Sequence, residues 1–347
     1  MRIALDVMGG DHGPEIIIAG AIQALKAYDN VSQILFVGRQ EEIEPIVSRL
    51  WPSRQRIAIV HATEVLGMAE KPVAALRRKK DCSLLRAVEQ VKEGAADAAL
   101  SPGNTGAMVA ASMIRLRPQP QVDRPGLATV IPTQRGKFVL IDSGATVDPR
   151  PTHLVQFAMM GHVFAQKTLG VERPRVGLLS VGSEPTKGNE LTLETFDALS
   201  KAEGIHFIGN VEGYDLFQDA VDVVVCDGFV GNITLKTCEG LAKGIMGWIR
   251  EEMTATPWRK LAAAALRPAF RPIKHQMDPD THGGGLLLGL NGAVMIAHGG
   301  ASSNSIKNAI RILGDIVDDN VGDHIGELIS KTEARLRADE NNKVTVA

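Results

Sequence analysis

Short apolar runs alternate with longer amphipathic ones along most of this chain. Arg2–Leu5, Gln33–Gly38, Arg56–His61, Ala98–Ser101, Leu127–Pro132, Lys137–Asp142, Arg175–Val181, His206–Gly209 and Asp222–Asp227 are nearly continuous in apolar residues. Such runs are expected of strands covered on both faces by helices. Between and after them, Glu15–Tyr28, Glu41–Leu50, Ser83–Glu93, Thr105–Arg117, Thr152–Leu169, Asn189–Glu203, Thr234–Met253 and Ser302–Val317 carry the helical period. The alternation predicts a three-layer α/β/α architecture on a mostly parallel or mixed sheet. No long linker or low-complexity block divides residues 1–337, which read as one unit. The charged, Asn-containing tail 338–347 is expected to fray.

Two strand-to-helix turns stand out. Asp6-Val-Met-Gly-Gly-Asp-His-Gly-Pro14 follows the first apolar run, with Gly9, Gly10 and Gly13 beside the carboxylates Asp6 and Asp11. Glycines permit a tight curl and a close approach, and Pro14 suits the first turn of a helix. Ser101-Pro-Gly-Asn-Thr-Gly106 repeats the design after Ala98–Leu100. In open α/β sheets, ligands bind at the carboxyl ends of strands, where such turns gather.

Composition narrows the choices. The chain has 347 residues, 44% of them hydrophobic, enough for a large core in one unit or two lobes. A formal net charge of −2 argues against a dedicated nucleic-acid binder. Cys82, Cys226 and Cys238 are the only cysteines and form no CxxC or metal-spaced pattern, so no metal site is expected. With no basic-then-apolar leader and no apolar run of spanning length, the expected location is cytoplasmic.

Asp6-Val-Met-Gly-Gly-Asp11 and Ser101-Pro-Gly-Asn-Thr-Gly-Ala107 closely resemble the signatures of the bacterial phosphate acyltransferases (the PlsX family). The resemblance continues in order through Lys71-Pro-Val-Ala74, Asp142-Ser-Gly-Ala145, Val181-Gly-Ser-Glu184 with Lys187-Gly188, and Cys226-Asp-Gly-Phe-Val-Gly-Asn-Ile-Thr-Leu-Lys236. Leu288-Gly-Leu-Asn-Gly292 and His298-Gly299 complete it. Pro102, Thr146, Ser180, Ser183 and His282 depart from the family pattern, which touches the detail of the pocket. The resemblance implies an enzyme that makes acyl-phosphate from acyl-acyl-carrier-protein and inorganic phosphate, for phospholipid synthesis, with no cofactor. It also implies two intertwined lobes like those of isocitrate dehydrogenases and phosphotransacetylases, a site in the cleft between them, and a homodimer. A membrane acyltransferase would take the product.

That reaction sets chemical demands. Phosphate is already anionic, and a thiolate from a thiol of pKa about 8.5 leaves readily, so no covalent nucleophile is required. An anion cradle, donors for the tetrahedral oxyanion and mild acid help for sulfur suffice. Ser101, Gly103, Asn104, Thr105 and Gly106 form the candidate cradle at a helix start; Asn104 and Thr105 also fit an ordinary N-cap. Lys187 aligns with a family lysine and can supply positive charge. Asn232 can donate to the oxyanion, with Asp227 orienting it or Lys187; a helix cap at Asn232 and a turn aspartate are the plainer reading. His298 can protonate sulfur, its ordinary pKa lying near neutrality. Asp6 and Asp11, with Gly9 and Gly10, are expected to shape the turn or orient donors, since carboxylates repel an anion.

Two surface features remain. Arg77-Arg-Lys-Lys80 is a candidate dock for an acidic acyl carrier protein, or a solvated face. Thr256–His275, within a segment around 250–277 expected to protrude, puts Trp258, Leu261, Ala262, Ala265, Leu266, Ala269 and Ile273 on one side at about 100° per residue. Lys260, Arg267, Arg271 and Lys274 fall on the other, which suits an anionic membrane surface touched peripherally through Trp258, Leu261 and Leu266. Pro268 and Pro272 are expected to break or kink a helix beyond Arg267. Three alternatives stay open: a fold-related NAD-dependent oxidoreductase, a coenzyme-A phosphotransacetylase, and a non-enzymatic membrane scaffold for lipid synthesis.

Overall fold

A computed structural model describes residues 1–277, 281 and 283–332. In chain order its strands are β1 (Arg2–Asp6), β2 (Gln33–Gly38), β3 (Ile57–His61), β4 (Ala98–Ser101), β5 (Gly126–Pro132) and β6 (Lys137–Ile141). β7 (Arg175–Leu179), β8 (His206–Val211), β9 (Val223–Val225), β10 (Gly285–Leu288) and β11 (Ala293–Ile296) follow. They form one sheet in the order β3-β2-β1-β4-β11-β10-β5-β6-β9-β7-β8. β3, β2, β1, β4 and β11 run parallel. β10 is antiparallel to β11 and β5, and β5 is antiparallel to β6. Beyond β6 the sheet is parallel again through β9, β7 and β8.

The helices are α1 (Pro14–Ala27), α2 (Gln40–Leu50), α3 (Pro72–Arg78), α4 (Ser83–Lys92), α5 (Thr105–Arg115), α6 (Pro151–Leu169), α7 (Glu190–Lys201), α8 (Gly228–Thr254), α9 (Pro257–Met277) and α10 (Ser303–Asp318). β1, β2, β4 and β9 are buried along most of their length, as the continuous apolar runs require, whereas the edge strands β3 and β8 are mostly half-buried or exposed. One apolar cluster contains Ile3, Leu5 and Phe36 from the first half of the sheet and Val139, Ile141, Phe157 and Val225 from the second, so the halves share a core. The mostly parallel, helix-covered sheet is the architecture expected from the pattern.

Several elements differ from expectation. α3 and the β10–β11 hairpin carry too few residues for a period to show, and glycines flank the hairpin strands. α8 starts at Gly228, six residues before the expected Thr234. α9 continues through Pro268 and Pro272 to Met277. From Pro257 to Ile273 the helix is exposed at nearly every position, where water can take the carbonyls that the two missing N–H groups leave. His282, the tail 338–347 and the side chains of Lys274 and His275 lie outside the described residues.

Candidate active site

The two glycine turns of the first half meet at adjoining strand ends. Asp6, at the end of β1, is buried, and its Oδ2 accepts a hydrogen bond from Ser101 Oγ at 2.7 Å. Its Oδ1 accepts one from the Met8 N–H at 3.1 Å. Ser101 Oγ in turn accepts the Gly103 N–H at 3.0 Å. Burial raises the Asp6 pKa, opposed by hydrogen bonds from Ser83 and Ser101. A Cβ on Gly9 would stand 2.9 Å from the Gly103 nitrogen, so only glycine allows the turns to touch. Asp6 therefore ties the two turns together.

The cradle is smaller than its sequence suggests. Ser101 is fully buried and its hydroxyl is committed to Asp6 and Gly103. Asn104 is the N-cap of α5: its Oδ1 accepts the Ala107 N–H at 3.0 Å, while Nδ2 donates to Met68 O at 2.7 Å and Glu70 O at 3.3 Å. The capping role anticipated as the alternative is thus the one its side chain fills. Left open are the N–H groups of Thr105 and Gly106 and the Thr105 hydroxyl, which make no hydrogen bond among the described residues. Exposed N–H groups at the start of an 11-residue helix still suit an anion.

Asp11, His12 and His298 converge around Gly300 beside this turn, with the Asp11 N–H donating to Gly299 O at 2.8 Å. His298 is exposed, and its Nδ1 accepts the Gly300 N–H at 3.1 Å, which leaves Nε2 to carry the proton. His12 was not singled out by sequence reasoning, although it sits inside the glycine turn. Among the described residues no group of three or more His, Cys, Asp or Glu side chains could hold a metal ion.

The second half builds its own cluster. Asp142, just after β6, is fully buried, and its carboxylate accepts N–H groups from Leu127 (3.0 Å), Gly144 (3.0 Å), Ala145 (2.9 Å) and Thr146 (2.6 Å). Burial still raises its pKa against these bonds. Asp227 caps α8 through Oδ1, which accepts the Phe229 and Val230 N–H groups at 2.9 Å each. That bonding leaves its expected role in orienting Lys187 or Asn232 without a contact among the described residues. Asn232 is not the cap; its exposed amide makes no hydrogen bond among the described residues, and a Cβ on Gly144 would stand 3.6 Å from Asn232 Cβ. Lys187 is exposed on the loop after β7, also without an ion pair among the described residues.

Because β5 and β10 reverse the sheet, β4 and β6 end in opposite senses, and no hydrogen bond or ion pair joins the two clusters among the described residues. Ala145 packs against an apolar cluster that includes Leu127 of β5 as well as Ala107, Met108 and Ala111 of α5. Cys226 is no rival nucleophile: it is buried, its thiol donates to Asp142 O at 3.6 Å, and burial pushes its pKa well above the ordinary value. Of the Arg77–Lys80 cations, Lys79 is tied to Glu70 and Val65 O, and Arg78 reaches Glu70 at 3.4 Å. Only Arg77 and Lys80 remain without an ion pair among the described residues.

Glycine turns at strand ends, an open helix N-terminus and donors without partners among the described residues can serve acyl or phosphoryl chemistry on an anion. The model of the fatty acid synthesis protein family matches residues 1–324. The phosphate acyltransferase of Desulfitobacterium hafniense (strain DSM 10664 / DCB-2) is 47% identical over 318 residues, covering 91% of this chain and 94% of its own. That of Bacillus subtilis (strain 168) is 47% identical with the same coverage. A phosphotransacetylase structure from Streptococcus pyogenes aligns with TM-score 0.60 at 16% identity, over 92% of this chain and 94% of that one. A branched-chain phosphotransacylase from Enterococcus faecalis V583 aligns with TM-score 0.56 at 17% identity, over 91% and 99%. The structural likenesses establish a shared fold. The chain belongs to the fatty acid synthesis protein family that contains the phosphate acyltransferases, and it is an acyltransferase.

Proposed function

We propose that this chain transfers a fatty acyl group from acyl-acyl-carrier-protein to inorganic phosphate, giving acyl-phosphate for phospholipid synthesis. The observation that carries this reading is an anion-ready helix terminus at Thr105–Gly106 combined with an Asn232 amide and a Lys187 ammonium that are unpaired among the described residues. A phosphate oxygen attacks the thioester carbonyl carbon; the carbonyl electrons move to oxygen, and Asn232 and Lys187 stabilise that oxyanion. Collapse restores the carbonyl and breaks the carbon–sulfur bond; the departing thiolate takes up the proton that the hydrogen phosphate gives up, with His298 Nε2–H donating a hydrogen bond to the sulfur. This chemistry requires both clusters to face one cleft.

The surface supports further parts of the proposal. α8 exposes Leu241, Ile245 and Trp248, spaced as one helical stripe that suits a second copy of the chain. Trp258 (80% exposed), Leu261 and Leu266 on α9 suit peripheral contact with an anionic membrane, where a membrane acyltransferase would take the product. No helix among the described residues is long and apolar enough to cross a membrane.

The test is incubation with long-chain acyl-carrier protein and phosphate. Free carrier thiol and hydroxylamine-trapped acyl-phosphate should appear in equal amounts, without added nucleotide and undiminished by a chelator. Phosphate-independent thiol release, or turnover only when NAD absorbance at 340 nm changes, would overturn the proposal. Faster use of acyl-coenzyme A than of the carrier-protein thioester would favour the phosphotransacetylase alternative.

A further inference from the structure

The run Leu288-Gly-Leu-Asn-Gly292 takes no part in the proposed acyl transfer, yet its Asn291 lines a cavity of about 380 Å³. Val91 and Lys92 at the end of α4 line it too, with Arg115, Leu116 and Arg117 at the end of α5. The cavity lies at the amino ends of β4 and β11, whereas the Asp6 and Ser101 turns lie at the carboxyl ends of β1 and β4. α5 spans the two levels, rising about 15 Å from Thr105 to Arg115. The cavity is therefore separate from the candidate active site.

Contacts join its walls. Arg115 Nε stands 2.9 Å from Glu89 Oε1, tying α5 to α4. The Asn291 N–H donates to Arg117 O at 3.1 Å. A Cβ on Gly292 would stand 2.7 Å from Val91 Cγ1 and 3.5 Å from Leu116 Cδ1, so the turn between β10 and β11 closes on both helices. Val91 and Leu116 pack in one apolar cluster and give the cavity its apolar lining.

Every charged residue that lines the cavity is a cation. Glu89 answers Arg115, whereas Lys92 and Arg117 are exposed and have no ion pair among the described residues. Basic residues at a helix end ordinarily serve its free carbonyls. Here those carbonyls have other partners. At the end of α4, Glu89 O, Gln90 O and Val91 O accept the N–H groups of Glu93, Ala95 and Gly94. At the end of α5, Asn291 Nδ2 donates to Leu116 O and Arg117 O at 3.2 Å each and to Pro118 O at 2.9 Å. The two cations are left for a ligand.

We infer that this cavity binds a phosphate monoester of nucleotide size, its phosphate held by Lys92 and Arg117 and its organic body set against Val91 and Leu116. The two unanswered positive charges match the charge of about −1.5 to −2 that a phosphate monoester carries near neutral pH. The volume falls within the range of small-molecule sites, about 300–1,000 Å³, and bare phosphate would leave much of it to water. Two apolar residues are too few to line a lipid chain.

Adenosine monophosphate is the probe, titrated calorimetrically into the full chain at low salt, with inorganic phosphate and adenosine as controls. The nucleotide should bind more tightly than either control, and about 0.5 M salt should weaken it. Lys92→Glu with Arg117→Glu changes two exposed side chains and should weaken binding by about tenfold or more. Lys187→Ala, in the candidate active site, should bind the nucleotide as the parent does. A parent that binds no nucleotide, or binds inorganic phosphate as tightly, would overturn the inference, as would equal binding by the parent and the double variant. Binding lost in Lys187→Ala and kept in the double variant would place the nucleotide in the candidate active site and overturn it equally.

Discussion

At the scale of residues, hydrogen-bond partners separate those that hold the site from those free to act in it. Among the described residues Lys187 and Asn232 keep unpaired polar heads, so Lys187→Ala and Asn232→Ala should each slow turnover by about 10²–10³ while the melting temperature stays near that of the parent. A collapse in melting temperature would return either residue to a structural role. Asp6 behaves oppositely. Its raised pKa means that the folded state holds the Asp6 proton more tightly than the unfolded chain does. Its contribution to stability is therefore full below the ordinary aspartate pKa and lost as pH rises through the raised value. The urea midpoint of the parent should gain on that of Asp6→Asn between about pH 7 and about pH 4.5. A parent that instead loses ground on acidification would mean that the Ser83 and Ser101 hydrogen bonds outweigh burial. That Asp6 orients its neighbours was legible in the sequence, because a carboxylate repels an anion. The commitment of Asn104 Nδ2 to Met68 O was not, since that partner lies 36 residues away.

At the scale of elements, most boundaries were legible because their apolar runs are long enough to show a period. The start of α8 was not. Gly228 and Gly231 read as a loop, yet both are helical, and a Cβ on Gly231 would run into Asp142 O. Close packing on the end of β6 requires glycine where helix propensity would reject it. The α8–α9 arm can be dissected by face. Trp258→Glu with Leu261→Glu should abolish sedimentation with anionic liposomes and leave thioester cleavage near the parent rate. Leu241→Glu with Trp248→Glu should instead shift the mass measured by equilibrium sedimentation from dimer to monomer. Pelleting retained by the first pair, or a dimer retained by the second, would remove that face from its assigned contact.

At the scale of the whole molecule, the three-layer architecture followed from alternating patterns, whereas the reversal of the sheet did not. Only spatial neighbours reveal that β5 and β10 run against their surroundings, since a buried antiparallel strand is as apolar as a parallel one. Long-range electrostatics belongs to this scale too. With Lys79 and Arg78 drawn to Glu70, Arg77 and Lys80 are the cations of this run left for the proposed carrier-protein dock among the described residues. Arg77→Glu with Lys80→Glu should raise KM for acyl-carrier protein several-fold at low salt, and about 0.5 M salt should erase the difference. Identical low-salt kinetics would exclude this segment from the docking surface.

The placement of β10 and β11 bears on how the chain is made. β4 and β5 are consecutive in sequence, but the hairpin Gly285–Ile296 sits between them and supplies the hydrogen bonds that knit one half to the other. Until the ribosome has released that hairpin, each half carries an apolar strand with a bare edge, open to pairing with another nascent chain. Closure of the sheet is therefore a late event of synthesis, and a short hairpin acts as the keystone for everything translated before it.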